Sequence, residues 1–368
     1  MSVIRILHAA DLHLDSPFEG LGPDKAACRR AEQRALLGRL TEVQKREGAQ
    51  LVLLSGDLLD TGSAYRETAE ELLRALGAMG APVFIAPGNH DYYSPRSPYA
   101  LLRWPENVHI FTAPRLECVP VPGLSARVWG AAFTDSRSAP LLAGFGAEKT
   151  AGVIDLLCLH GEVGARESVY DPIGEDELAR SGMDYAALGH IHRESGLKRA
   201  GDTYYAWPGC PEGRGFDETG EKYVYLADVG EGSCRLTKEK IGQRRYEILK
   251  TDKTAPEALL AALPAGSEND IYRIILTGET DEAPDLDALS RALEGRFFAL
   301  QLRDETRLRR DVWENAGDDT LRGIFLRALK TRRDAAADPA ERELCEQAAR
   351  WGLAALDNRE EVRRHGDS

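Results

Sequence analysis

The sequence predicts a layered α/β protein with a second, smaller α/β module and a helical C-terminal segment. Three observations carry that expectation. Short apolar runs alternate with stretches of helix formers through the first part of the chain. After the glycine-rich turn "DVGEGS" (228–233) the same alternation restarts in compact form, and beyond about residue 306 apolar residues recur at helical spacing.

Taken in order, "VIRILHAA" (3–10), "AQLVLLS" (49–55) and "APVFIAP" (81–87) read as buried strands. The helical patterns between them, 24–47 and 64–79, end near Gly48 and Gly80. Further strands are expected at "RVWGAAF" (127–133), "GVIDLLCLH" (152–160), "DYAALGH" (184–190), "TYYAWPG" (203–209) and "KYVYLADV" (222–229). The second module reads β-α-β-α-β: "RYEILK" (245–250), helical 255–262, "IYRIILTG" (271–278), helical 285–294 and "FFALQLRD" (297–304). In the tail, Leu321, Ile324, Phe325, Ala328 and Leu329 form one stripe and Leu344, Ala348, Trp351 and Ala355 another. Asp338 as a cap and Pro339 at the first helical position separate them. Two such helices cannot bury both stripes against each other, so they dock either on the chain's own domain or on a partner. The expected division is 1–242, 243–305 and 306–368.

At 368 residues the chain suits two or three domains at roughly 150 residues each. With 43% hydrophobic and 29% charged residues it has the composition of a globular protein. The net charge of −13 weighs against a protein that coats nucleic acid unaided, but local charge or bound metal leaves a nuclease open. Six scattered cysteines, Cys28, Cys118, Cys158, Cys210, Cys234 and Cys345, include no Cys-x-x-Cys pair and are expected to be reduced thiols. The start "MSVIRILHAADLH" has no apolar leader core, and no apolar run reaches the roughly 18 residues of a spanning helix. A cytoplasmic protein with no membrane partner is expected.

The chemistry-bearing residues cluster at the downstream ends of the expected strands, the edge where open α/β sheets hold ligands. Asp11 and His13 in "HAADLHLD" sit two apart, so in extended chain an oxygen and an imidazole point the same way. Alone, Asp-x-His is as readily a capped turn. "SGDLLD" (55–60) puts Asp57 behind Gly56, where its two oxygens could bridge two cations; Asp60 is expected to support a ligand or cap a helix. In "PGNHD" (87–91) Asn89 offers a carbonyl oxygen to a hard cation, and His90 is left to handle protons with Asp91 holding its imidazole. His160 ends an apolar strand, where a lone histidine is more often a satisfied core residue. His190 and His192 in "GHIH" repeat the period-two geometry of Asp11 and His13. Of the remaining histidines, His8, His109 and His365 receive no role.

Asp11, His13, Asp57, Asn89, His160, His190 and His192 are too many ligands for one cation. Two cations sharing Asp57 can use them, with His90 spare, which is the two-metal arrangement for in-line displacement at phosphorus. Oxygen and nitrogen donors without thiolate suit Mn, Fe or Zn.

The ordered series Asp-x-His, Gly-Asp-x-x-Asp, Gly-Asn-His-Asp, a lone His and Gly-His-x-His resembles the calcineurin-like metallophosphoesterases. Within them, "HAADLHLDSPFEGL", "DYAALGHIHR" and "PGCPEGRGFDETGEKYVYL" look like the SbcD-type DNA repair exonucleases, in their YhaO-like branch. The resemblance covers residues 3–230 strongly, the small module loosely and the tail only by position. It implies a two-sheet sandwich flanked by helices, with a small α/β cap and a C-terminal helical hairpin. It implies Asp11, His13, Asp57 and His192 on one metal, Asp57, Asn89, His160 and His190 on the other, manganese as the typical ion, and His90 as the proton-handling residue supported by Asp91. It further implies a DNA exonuclease or endonuclease working with a coiled-coil ATPase of the SbcC type, gripped by the helices after the cap; a homodimer is compatible with it. The alternatives are a phosphoesterase acting on nucleotides or other small phosphodiesters, and a catalytically silent scaffold. Tyr92, Tyr93, Arg96, Arg103 and Arg193 could contact DNA or simply form a solvated loop with aromatic packing.

Overall fold

The computed structural model describes residues 3–60, 65–280, 282–308 and 311–356. In chain order it runs β1 (Ile4–Ala9), α1 (Pro23–Glu47), β2 (Leu51–Leu54), α2 (Arg66–Gly77), β3 (Val83–Ile85), α3 (Pro98–Leu101) and β4 (Val108–Ile110). Then come β5 (Glu117–Pro120), β6 (Ala126–Gly130), β7 (Ile154–His160), a short ribbon of β8 (Glu162–Val163) and β9 (Pro172–Ile173), and α4 (Glu175–Arg180). β10 (Tyr185–Gly189), β11 (Lys198–Ala200), β12 (Thr203–Ala206), β13 (Tyr223–Gly230) and β14 (Ser233–Lys240) complete two six-stranded sheets. Their orders are β14-β13-β1-β2-β3-β4 and β11-β12-β10-β7-β6-β5.

Strict alternation along the central strands builds a sandwich with three apolar layers. Ile4, Ile6, Leu51 and Leu53 face Leu156, Cys158, Tyr185 and Ala187 in the layer between the sheets. Leu7, Ala9, Val52 and Leu54 point the other way, onto Leu36, Leu37 and Leu40 of α1 and Leu72 and Leu76 of α2. On the far side Leu157, Leu159, Ala186 and Leu188 pack with Leu178 of α4 and Trp207. Both faces of each central strand are therefore buried, which is why these strands are continuous apolar runs. The predicted two-sheet sandwich flanked by helices is the observed fold.

Helix α1 ends at Gly48, whose φ of +65° makes the left-handed cap. Helix α2 differs from expectation, stopping at Gly77 rather than near Gly80. The Asn107 carboxamide donates to the carbonyls of Leu76, Met79 and Ala81, so carbonyls freed by the early stop find a partner.

The rest of the chain supplies β15 (Tyr246–Thr251), α5 (Pro256–Ala262), β16 (Ile271–Leu276), β17 (Glu279–Thr280), α6 (Leu286–Ala292), β18 (Ala299–Asp304), β19 (Arg307–Leu308), α7 (Leu321–Ala335) and α8 (Pro339–Leu356). β15, β16 and β18 form a three-stranded sheet. The chain divides into two compact units: 1–249 with 260–275 and 290–303, and 250–259 with 276–289 and 304–368. In the first, Tyr246, Ile271 and Ala299 pack with Leu21, Phe216 and Phe298.

In the second unit α7 and α8 form the expected helical hairpin, with Asp338 Oδ1 accepting from the Ala340 amide and Pro339 opening α8. Only part of the two stripes enters the contact between the helices. Leu326 and Ala349 are enclosed, Phe325, Leu329 and Leu353 lie partly buried, and Trp313 and Ala316 complete the cluster. Leu321, Ile324, Leu344 and Trp351 stay exposed. A Cβ on Gly352 would fall 2.1 Å from the Phe325 ring, so this glycine lets the helices approach closely and moves the contact seam around the barrel of each helix. His365, and with it residues 357–368 of the expected partner-docking tail, lie outside the described residues.

Candidate metal centre

The central strands of the two sheets end at one edge, and the loops leaving them carry the functional side chains. Asp11 and His13 follow β1, Asp57 follows β2, Asn89 and His90 follow β3, His160 closes β7, and His190 and His192 follow β10. Backbone bonds knit these loops together: the Asp11 amide donates to the Gly56 carbonyl (3.0 Å) and the His13 amide to the Asp57 carbonyl (2.9 Å). Asp11, His13, Asp57 and His190 all have φ between 43° and 95°, a left-handed conformation that non-glycine residues hold only when the surroundings impose it. The crowding is severe enough to require glycine beside them. A Cβ on Gly189 would stand 1.8 Å from the Ser55 carbonyl oxygen, and one on Gly88 2.3 Å from Asp57 Oδ1.

All seven sequence-predicted donors and His90 come together. Asp57 Oδ2 lies 3.7 Å from His13 Nε2 and 3.3 Å from His160 Nε2, so its carboxylate stands between two donor sets. On one side His13 Nε2 and His192 Nε2 are 3.2 Å apart, with Asp11 Oδ1 3.9 Å from the latter. On the other, Asn89 Oδ1 is 2.9 Å from His160 Nε2 and 3.3 Å from His190 Nδ1. Asp11, His13 and His192 each bring a donor atom within 4.8 Å of the others, as do Asp11, Asp57 and His160, and also His13, Asp57 and His90. Carboxylate, carboxamide and imidazole donors with no thiolate among them fit divalent cations of the Mn, Fe or Zn kind.

Burial governs the charge of these groups. It raises the Asp11 carboxyl to about 6 and lowers the His13 and His190 imidazoles to about 4. Burial also works against a charged His160, but the neighbouring Asp57 and Asp11 carboxylates outweigh it and raise that imidazole to about 9. Asp57 in turn is held below the usual carboxylate range, since His160, His13 and His90 overcome the cost of burying it. A cluster that draws a proton onto one ligand to offset its carboxylates is one a cation can occupy in the proton's place.

One expected role is corrected. Asp91 does not hold the His90 imidazole. Its oxygens accept from the amides of Gly88, Asp57, Leu58 and Leu59 and from the Tyr99 hydroxyl (2.6 Å), pinning the loop after β2 to the loop after β3. Neighbours in an extended loop point opposite ways, so His90 turns outward while Asp91 turns in. The His90 ring instead sets Nδ1 3.1 Å from the Asp60 carbonyl oxygen and 3.8 Å from its carboxylate. Asp60 also accepts from His13 Nδ1 (3.0 Å), matching its expected supporting role. Among the suggested DNA contacts, Tyr93 packs against two core clusters, whereas Arg96, Arg103 and Arg193 are exposed.

Sequence reasoning gave no role to Tyr99, Arg214 or Glu218. Glu218 Oε1 is 2.7 Å from His192 Nδ1, and Arg214 touches both Glu218 and Asp60. The signal was a glycine-rich stretch carrying opposite charges, "PEGRGFDE", in which partly buried Arg214 and buried Glu218 stand at a spacing that carries no motif of its own. Tyr170 was also missed; its ring lies 5.0 Å from that of His190, on the wall of a cleft of about 600 Å³ formed with Glu162 and residues 165–169.

A calcineurin-like phosphoesterase family pattern matches residues 4–194, just over half of the chain, and spans every strand end just described. The chain belongs to the calcineurin-like phosphoesterases. It is 31% identical over 271 residues to the uncharacterized metallophosphoesterase YhaO of Bacillus subtilis, covering 70% of this chain and 65% of that protein. The chain thus spans just under two thirds of that relative's length. It is 26% identical over 275 residues to the SbcD subunit of the SbcCD nuclease of Bacillus subtilis, covering 62% of this chain and 67% of that one. With the DNA double-strand break repair protein Mre11 of Aeropyrum pernix it shares 30% identity over 223 residues, 56% of this chain and 53% of the other. Among solved structures it is similar to a dimetal phosphatase from Danio rerio, with a TM-score of 0.42 and 12% identity over 65% of this chain and 99% of that one. Among the described residues, no helix is long and apolar enough to cross a membrane.

Proposed function

We propose that this phosphoesterase is a two-metal DNA nuclease, the hydrolytic component of a repair complex with a coiled-coil ATPase of the SbcC type. The observation that carries the reading is the gathering of seven donors and His90 from five separate strand ends, with the Asp57 carboxylate standing between His13 and His160. Asp11, His13, Asp57 and His192 would hold one cation, and Asp57, Asn89, His160 and His190 the other. Divalent ions bound there, manganese being the expected one, supply the electrostatic stabilisation that in-line displacement at phosphorus requires. The chain's own part is to position and to move protons. Asp57 and Asp11 bring the negative charge, the strained loops fix the donors in advance, and His90, at 43% side-chain exposure, is the accessible imidazole. With Nδ1 donating to the Asp60 carbonyl, His90 keeps Nε2 for protonating a departing sugar oxygen. The likeness to SbcD and to Mre11 supports DNA as substrate, and the exposed Leu321, Ile324, Leu344 and Trp351 on the helical hairpin support a docked partner.

The cleft of about 600 Å³ beside His190, walled by Tyr170, favours a second reading, a phosphoesterase for nucleotides or other small phosphodiesters. Manganese-dependent release from linear DNA, set against release from a small chromogenic phosphodiester, separates the two. The nuclease account expects DNA to be cut at least about tenfold more efficiently, and His90→Ala to abolish turnover with metal content unchanged. Loss of metal in that variant refutes the role given to His90.

A further inference from the structure

We propose that Arg214 is a positioning residue that sets the affinity of one cation of the pair, the one held by Asp11, His13 and His192, and leaves the other untouched. The inference rests on the two-metal reading and deepens it. An imidazole that gives Nε2 to a cation must carry its proton on Nδ1, and that N–H needs an acceptor to fix the ring. For both imidazoles on this side the acceptor is a carboxylate: His13 Nδ1 is 3.0 Å from Asp60 Oδ1, and His192 Nδ1 is 2.7 Å from Glu218 Oε1. One guanidinium joins the two acceptors. Arg214 Nη1 donates to Asp60 Oδ1 (3.2 Å), Nη2 to Glu218 Oε1 (2.9 Å), and its own amide to Glu218 Oε2 (2.7 Å). Nη2 also lies 3.0 Å from His192 Nδ1, so the fork fills the space behind that ring and blocks its rotation.

The brace is itself held. Arg29, fully buried, donates to Glu212 Oε2 (2.8 Å) and to the Gly213 carbonyl, and Arg39 donates to Glu212 Oε1 (2.6 Å), so the stretch just before Arg214 is fastened to α1. α1 also reaches the metal-bearing loop directly, through the Gln33 carboxamide on the His13 carbonyl (3.1 Å).

The other donor set is supported differently. His160 Nδ1 donates to the Ser55 backbone carbonyl (2.9 Å), and His190 turns its own Nδ1 toward Asn89. Neither depends on a side-chain carboxylate or on Arg214. Two cations that look equivalent by donor count are therefore braced unequally, and only a planar fork can span Asp60 and Glu218 together.

The test is a manganese titration of the full chain after chelator treatment, followed by paramagnetic resonance of the free ion, for wild type, Arg214→Met and Arg214→Lys. Wild type takes up two ions per chain. Arg214→Met weakens one binding step by about 10- to 100-fold and leaves the other in place. Arg214→Lys, which still offers Glu218 a cation but cannot reach Asp60 as well, weakens the same step by a smaller factor, so the inference stays testable if the Met variant folds poorly. At saturating manganese both variants recover most of the wild-type kcat. Two unchanged steps in either variant overturn the proposal, as does equal weakening of both steps. A raised KM with both steps intact also overturns it, assigning Arg214 to substrate. A wild-type chain that takes up no manganese overturns the two-metal reading itself.

Discussion

His8 lies between the sheets, fully buried, with Nδ1 2.9 Å from the Tyr185 hydroxyl and Nε2 3.2 Å from the Leu188 carbonyl. Burial lowers its imidazole to about 3, from an ordinary value of 6.5. Between those values the unfolded chain binds a proton that the folded chain refuses. Its contribution is therefore complete above pH 6.5 and is lost as pH falls toward 3. By pH 5 the loss is about 2 kcal/mol. Urea unfolding of wild type and His8→Gln between about pH 7 and 5 should show the wild type losing that much more stability than the variant; parallel curves would contradict the assignment. At Gly189 the constraint is steric. Gly189→Ala must displace either the Ser55 carbonyl or the strand end bearing His190, and should cost at least about 3 kcal/mol by the same measurement. A cost below about 1 kcal/mol would mean the strand ends are not packed as described. Legibility in sequence divides at this scale too. Six of the seven donors announced themselves because each sits behind a glycine or at period two from another donor; His160, alone at the end of an apolar strand, did not. Arg214 and Glu218 did not, since each acts on a group far away in sequence, and Tyr99 did not, since it acts through Asp91 and not on a donor directly. Asp91 misled because adjacency to His90 in the chain is opposition in space.

At the scale of elements, the eight strands expected in the first 230 residues are the eight interior strands of the two six-stranded sheets; the four edge strands of those sheets, β4, β5, β11 and β14, gave no signal, nor did the short ribbon of β8 and β9. The innermost strands β2, β3, β7 and β10 are buried on both faces and apolar almost throughout, and the other interior strands keep at least one buried apolar face, whereas an edge strand such as β14, "SCRLTKEK", has no fully buried residue and reads as polar chain. The hairpin of α7 and α8 was legible as two helices with a capped start, but its seam was not, because Gly352 admits Phe325 where a larger residue would hold the helices apart. Ile324 and Trp351, 57% and 42% exposed, consequently lie off that seam. Replacing both with glutamate should leave the stability of the isolated chain within about 0.5 kcal/mol and, if the proposed docking of an SbcC-type ATPase on this face is correct, abolish co-purification with it. A loss of stability would mean that these side chains pack within the chain.

For the whole molecule, the net charge of −13 means that, under the nuclease reading proposed above, attraction to a DNA backbone would have to arise locally, at the metal edge and from exposed arginines such as Arg96, Arg103 and Arg193. The sandwich suits that demand by gathering the ends of strands from both sheets at one edge and letting a single carboxylate, Asp57, stand between two sets of donors. Everything proposed for activity depends on that shared carboxylate. The most direct measurement is anomalous scattering from crystals soaked in manganese. The account predicts two peaks roughly 3.5–4 Å apart, both within bonding distance of Asp57, one nearer His13 and His192 and the other nearer His160 and Asn89. A single peak, or peaks away from Asp57, would contradict it.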